Sequence, residues 1–311
     1  VHPTRRIKFE LTILGCGSAT PTLRHLPTAQ LVNYNEQYFL FDCGEGTQLQ
    51  LRRFQLKFQR ISHIFITHLH GDHCLGLPGL LSTLHLLGRT REMNIYAHPD
   101  LQSAVELQLK VSQSRLRYPL VWHELGYAAE SVILETKALK VSSFPLKHGV
   151  PTCGFKIEEL PRPLNIRPEA IAKYGIAPAR IRQIKAGGNL TLSDGQIVDN
   201  SELTFQAAPP RAYAFCTDTA YVPATSGFVK GVDLLYHEST FLEDDSKRAL
   251  ATMHSTARQA AQVALDAGAK TLILGHYSAR YRSDEAFKKE ASEIFPHVVT
   301  ANEGLIIPIG Q

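Results

Sequence analysis

The sequence predicts an α/β fold, and three observations carry that expectation. Short apolar runs of strand length recur along the chain, separated by loops and amphipathic stretches. One of them, "HIFITH" (63–68), is apolar enough for a strand buried on both faces. The runs also share an ending: His68, His148, Asp218, Glu238 and His276 each close one. Functional groups of α/β sheets gather beyond the carboxyl ends of strands. Five such side chains at five strand ends point to one site.

Taken in order, "IKFELTIL" (7–14) alternates as a strand does and runs into the loop "GCGSATPT". "QYFLFDCGEGT" reads as a strand closing in a turn, followed by the amphipathic "QLQLRRFQL". After "HIFITH", "LPGLLSTLHLLGR" reads as a helix and "MNIYAH" as the next strand. "LKVSSFPLKH" (139–148), "AYAFCTD" (212–218), "DLLYHES" (233–239) and "KTLILGH" (270–276) follow as strands. "STARQAAQVALDAG" is a helix: Ser255 or Thr256 can cap it, apolar residues fall at 260, 261, 264 and 265, and Gly268 ends it.

A chain of 311 residues can bury a large core, and its 44% apolar and 20% charged content is that of an ordinary globular protein. The opening "VHPTRRIKFELTILG" has no uninterrupted apolar stretch before Lys8 and Glu10, so no signal peptide is expected there. The longest nearly apolar run, "CLGLPGLLSTLHLLG", contains Pro78 and His85 and is too short to span a bilayer. Cys16, Cys43, Cys74, Cys153 and Cys216 are odd in number and widely spaced, with no C-x-x-C pair. They read as buried thiols of a reducing compartment, the cytoplasm, with Cys74 a packing residue at a helix start.

The net charge is only +4, but its distribution is uneven. Between residues 160 and 193 stand Arg162, Arg167, Lys173, Arg180, Arg182 and Lys185 against one acid, Glu169. The wider segment 157–205 is rich in Pro, Gly and basic residues and lacks a long apolar face. It reads as a basic insertion that packs little of itself on the core.

The chemistry concentrates in "THLHGDH" (67–73). His68 and His70, two apart at a strand end, can point the same way, and a third imidazole from elsewhere would complete an open zinc site. Asp72 and His73 begin the next helix and face the other side of the turn, which suits a second metal, with a distant carboxylate to bridge. Two metals roughly 3.5–4 Å apart serve in-line displacement at phosphorus. Burying such a cluster without metal would leave many polar groups unpaired. The lone histidines His2, His25, His85, His98, His123 and His297 read instead as ordinary satisfied polar residues, and His63 as part of its strand.

"THLHGDH" resembles the defining motif of the metallo-β-lactamase superfamily. "THLHGDHCLGLPGLL", "PLKHGVPTCGFKI", "FCTDT", "HEST", "MHSTARQAA" and "GHYSARY" resemble, in order and over nearly the whole chain, the motifs of the short ribonuclease Z family of tRNA 3′-processing endonucleases. That resemblance implies an αββα sandwich over residues 1–311, with 157–205 as an inserted flexible arm that clamps precursor tRNA, commonly across a homodimer. It implies two zinc ions per chain, manganese or another divalent metal being the alternative. His68, His70 and His148 resemble the ligands of the first ion. Asp72, His73 and His276 resemble those of the second, with Asp218 bridging. Glu238 and His254 resemble the family's acid–histidine pair, and Asp72 could also handle the nucleophile's proton. The six basic residues of the arm become candidate phosphate contacts.

The implied reaction is removal of 3′ trailers from precursor tRNA, leaving a 3′-hydroxyl on the tRNA and a 5′-phosphate on the trailer. The chain departs from the family at "PTLRHLPTAQ" (21–30), where many members have P-x-K-x-R-N, the loop associated with reading the acceptor end. Cleavage after the discriminator base is expected, with cleavage after an encoded CCA as the alternative. A rival reading is another hydrolase of the superfamily acting on a small phosphodiester, sulfate ester or lactone, for which a basic protrusion has no use. An RNA-binding protein with structural metals is a second rival, opposed by the unspent Glu238–His254 pair.

Overall fold

The computed structural model describes residues 7–310, so His2 lies outside the described residues. The chain divides into two compact units. One takes in residues up to Glu135, Lys140–Ile157 and Ala212 onward; the other is Thr136–Leu139 with Glu158–Arg211.

Two seven-stranded sheets dominate the first unit. One runs, in spatial order, Ile306–Pro308, Phe9–Gly15, Ala29–Tyr34, Gln37–Phe41, Ile61–Phe65, Met93–Ala97 and Leu120–Glu124. The other runs Val298–Thr300, Thr271–Gly275, Leu234–Glu238, Ala212–Cys216, Thr152–Glu159, Leu139–Leu146 and Ser131–Glu135. The parallel stretches, from Gln37 to Glu124 in the first sheet and from Ala212 to Thr300 in the second, are the ones that lead into the site.

Alternation along the strands explains the layers. Phe39, Phe41 and Phe65 turn toward the second sheet, where Phe41 and Phe65 meet Phe155 with ring centroids 5.8 and 5.5 Å apart. Each such ring, fully buried, contributes about 1.5–3 kcal/mol. The alternate residues Leu40, Ile64 and Ile95 turn the other way, onto Leu77, Leu80, Leu81 and Leu84 of the helix Leu77–Leu86. On the far side the helix Ala257–Ala267 packs on the strands Leu234–Glu238 and Thr271–Gly275. Thr256 caps it and exchanges hydrogen bonds with Gln259 in a capping box, and its C-cap is Gly268. Helix, sheet, sheet, helix is the sandwich expected.

The strand ends differ from expectation in one respect. Strands stop at Phe65, Leu146, Cys216 and Gly275, one to three residues before His68, His148, Asp218 and His276; only Glu238 is the last residue of its strand. The reason is geometric. Side chains inside a pleat alternate between faces, whereas residues just past the last ladder hydrogen bond are free to converge.

The second unit, Glu158–Arg211 with its short companion, has an apolar cluster of its own: Ala170, Ile176, Ile184, Leu190, Val198 and Leu203. Its helices Pro168–Tyr174 and Pro178–Lys185 each start on proline and are too short to show a long apolar stripe in sequence. Arg162 pairs with Glu159, and Arg167 Nε donates to Thr204 O at 3.0 Å with its guanidinium over Phe205. Lys173 lies over the Tyr174 ring, and Arg180 donates to Gln183. Arg182 is exposed and Lys185 half-buried, neither with a side-chain partner among the described residues.

Candidate metal centre and active site

Eight side chains meet at the carboxyl ends of the strands. His70, Asp72, His148, Asp218, His254 and His276 line one cavity, with His68 and His73 buried beneath it. His70 Nδ1 stands 3.1 Å from His68 Nε2 and 3.3 Å from His148 Nε2. Asp218 Oδ2 faces the same group, 3.6 Å from His68 Nε2 and 3.7 Å from His148 Nε2. Its other oxygen, Oδ1, faces a second group, 3.2 Å from His73 Nε2 and 3.1 Å from His276 Nε2. Asp72 Oδ2 completes that group at 3.5 Å from each of these two nitrogens. One carboxylate thus divides its oxygens between two sets of donors.

The second nitrogen of the rings decides what the first can do. His73 Nδ1 donates to Asp42 Oδ2 at 2.7 Å, and His148 Nδ1 donates to the Met253 carbonyl at 3.0 Å. Thr67 and Thr240 spend their hydroxyl protons on Asp42 and Glu238, and so accept from His68 Nδ1 at 3.0 Å and His276 Nδ1 at 2.9 Å. In the neutral form of each of these four rings Nε2 is the lone-pair nitrogen and is aimed at the centre, the tautomer a metal ligand needs. The Nε2 atoms of His73 and His276 are buried and have no hydrogen-bond partner among the described residues.

The charges argue the same way. Burial pushes the Asp218 carboxyl up, but His276, His73 and His68 outweigh it and hold it well below the usual carboxylate range. Burial lowers His73 too, yet Asp218 and Asp42 raise it well above its ordinary value. His68, by contrast, is pushed well below by burial and by the charge on His73 beside it. Three buried or nearly buried carboxylates (Asp42, Asp72 and Asp218) call for positive charge, and two divalent cations supply it while satisfying every orphaned nitrogen. The donor set fits the metal.

Beside the centre His254 Nδ1 lies 2.8 Å from Glu238 Oε1. Glu238 is fully buried and also accepts from Thr219 N, Ser255 N, Thr240 N and Thr240 Oγ1 at 2.7–3.1 Å. Burial lowers the His254 imidazole, but Glu238 more than offsets it and brings it to about 9.

Residues 9–147 match the family model of the anti-Pycsar protein Apyc1, and residues 167–277 match a beta-lactamase superfamily domain. Over 302 residues the chain is 45% identical to Ribonuclease Z of Bacteroides fragilis, covering 97% of this chain and 99% of that protein. The chain belongs to the ribonuclease Z family. Ribonuclease Z of Phocaeicola vulgatus is 46% identical over 302 residues, with 97% and 98% covered. The crystal structure of human tRNase Z, short form, superposes with a TM-score of 0.71 at 27% identity, covering 97% of this chain and 100% of that one.

In this ribonuclease Z-family chain every residue expected from sequence as a ligand stands in the cluster with His254, and Glu238 stands behind His254. Asp42, Thr67 and Thr240, which aim the rings, are not among the residues expected from sequence. For Asp42 a signal exists: it follows the strand Gln37–Phe41 just as the other site residues follow theirs, and it adopts the left-handed φ of 56°. Backbone donors such as Ala19 N, 2.7 Å from Asp72 Oδ2, carry no sequence signal at all.

Proposed function

We propose that this ribonuclease Z-family chain is a zinc-dependent endoribonuclease that removes 3′ trailers from precursor tRNA. The observation that carries the reading is Asp218, whose two oxygens face two separate donor sets beside a Glu238–His254 pair. His68, His70 and His148 would hold one ion and Asp72, His73 and His276 the other, with Asp218 placed to serve both. When bound, the pair supplies Lewis acidity at the phosphoryl group and eases the ionisation of water.

The chain's own residues do the rest. Asp72, held by Ala19 N, takes the nucleophile's proton. Cleavage that leaves a 3′-hydroxyl on the tRNA breaks the bond between phosphorus and the ribose 3′-oxygen, a poor leaving group until protonated. His254, kept charged by Glu238, donates that proton. Arg180, Arg182 and Lys185, whose side chains have no acidic partner among the described residues, are the foremost phosphate contacts of the arm 157–205, with Lys173, Arg167 and Arg162 supporting. The functional assembly is a homodimer in which the arm of one subunit serves the site of the other. Five buried free thiols support a reducing, cytoplasmic setting, and among the described residues no helix is long and apolar enough to cross a membrane.

The test is incubation of zinc-loaded protein with precursor tRNAs bearing 3′ trailers, with and without encoded CCA, and mapping of both product ends. Endonucleolytic cuts after the discriminator base are expected. Turnover of small phosphodiesters with intact precursor remaining would replace this reading by that of a small-substrate hydrolase.

A further inference from the structure

His25 reads as an ordinary polar residue in sequence, yet its ring is only 6% exposed and lies among charged groups. Nδ1 is 3.1 Å from Glu303 Oε2 and 3.3 Å from Cys16 Sγ. Nε2 is 3.0 Å from Arg24 Nη2 and 3.4 Å from Asp284 Oδ2, and Arg24 itself pairs with Asp284. The ring leans on Tyr277, the residue after His276. Glu303 reaches past it, accepting Leu26 N at 2.9 Å. Two acids from far along the chain thus grip three successive residues of one loop.

That loop reaches the metal centre by two routes, one direct and one through Gly44. Its return limb packs Pro27 on Gly44, which in turn backs the ligand turn: a Cβ on Gly44 would fall 2.4 Å from Asp72 O and 2.6 Å from Pro27 Cβ, so no other residue leaves room there. Its outgoing limb ends at Ala19, which takes a left-handed φ of 37° and donates its N–H to Asp72 Oδ2. This is the same oxygen that faces His73 and His276. Between the limbs Gly17 N bonds Leu26 O at 2.9 Å, and Ser18 N bonds Tyr277 O at 3.1 Å. A displacement at His25 therefore reaches Asp72 through either limb.

We propose that Arg24 and His25, clasped by Asp284 and Glu303, form a latch that positions the loop 18–27 and through it the Asp72 carboxylate. His25 and Glu303 are positioning residues for the second metal set, an inference that rests on the metal-centre reading above. The latch acts on Asp72, His73 and His276 and leaves His68, His70 and His148 untouched.

The experiment is a zinc titration against a chromophoric chelator, run on wild type, His25→Ala, His25→Gln and Glu303→Gln, with melting curves alongside. Wild type should hold two ions. His25→Ala and Glu303→Gln should keep the first ion at wild-type affinity and bind the second about 10-fold or more weakly, the loss typical when an outer partner of a ligand is removed. His25→Gln, which retains a donor and an acceptor, should recover part of it. Turnover of bis(p-nitrophenyl) phosphate should fall in kcat more than in KM. If His25→Ala fails to fold, the isosteric Glu303→Gln carries the test. Both ions bound as tightly as in wild type, or both weakened equally, would overturn the latch. Wild type holding fewer than two ions would overturn the metal-centre reading itself.

Discussion

Glu238 Oε1 lies 2.8 Å from His254 Nδ1, and the rest of that buried carboxylate is saturated by Thr219, Thr240 and Ser255. A carboxylate held this way stays ionised and keeps the imidazole charged and aimed. His254→Ala should retain its zinc while cleaving precursor tRNA about 10²–10⁴-fold more slowly. With a nitrophenyl phosphodiester, whose leaving group departs without protonation, the loss should be much smaller. Equal losses on both substrates, or loss of zinc, would make His254 a structural residue.

Asp218 joins two donor sets that share no other member. Asp218→Ala should therefore lower metal content below two ions per chain and abolish cleavage together. Metal analysis beside a cleavage assay checks this, and an active, metal-free protein would end the two-ion reading.

Deleting the arm is a poor probe, because residues 160–193 include Ala170, Ile176, Ile184 and Leu190 of its own apolar cluster. Reversing charge at Arg180, Arg182 and Lys185 spares that cluster. The triple glutamate variant should bind tRNA far more weakly, with a salt slope smaller by about one for each phosphate no longer neutralised. Hydrolysis of a small phosphodiester should be unchanged, since none of the three lies in the metal cluster. Unaltered tRNA affinity would make the segment an ordinary surface.

His25 gives the stability a pH dependence of definite sign. Burial lowers its pKa, but Asp284 and Glu303 outweigh this and bring it to about 9, above the ordinary 6.5. A group raised by folding stabilises fully below its unfolded pKa, and that contribution is lost as pH rises through the folded one. The melting temperature should therefore fall between pH 6.5 and about 9 in wild type and less in His25→Gln. Parallel curves would show that His25 is uncharged in the folded protein.

What is legible in the sequence is what is local. His68, His70, Asp72 and His73 crowd one turn, and the remaining candidate ligands betray themselves by ending apolar runs. Asp42 ends such a run too, but aspartate after a strand is also an ordinary turn residue, so it does not stand out. Thr240 is hidden inside "HEST", and its role depends on which way one hydroxyl proton points. Glu303 and His25 meet only because the last part of the chain pairs back onto Phe9–Gly15, a register no local pattern announces. The apolar cluster of the second unit is silent in sequence because helices of seven and eight residues show barely two turns of periodicity.

His68, His70, Asp72 and His73 follow a strand of one sheet, while His148, Asp218, Glu238 and His276 follow strands of the other. Neither sheet alone holds a complete group of the candidate ligands. On a ribosome, where RNA surrounds the emerging chain, the hydrolytic centre cannot assemble until His276 has left the exit tunnel and both sheets have closed. Synthesis itself therefore postpones the nuclease, and no separate inhibitor is needed to keep a half-made chain harmless. Metal bound across both sheets would also draw the folding equilibrium forward by mass action.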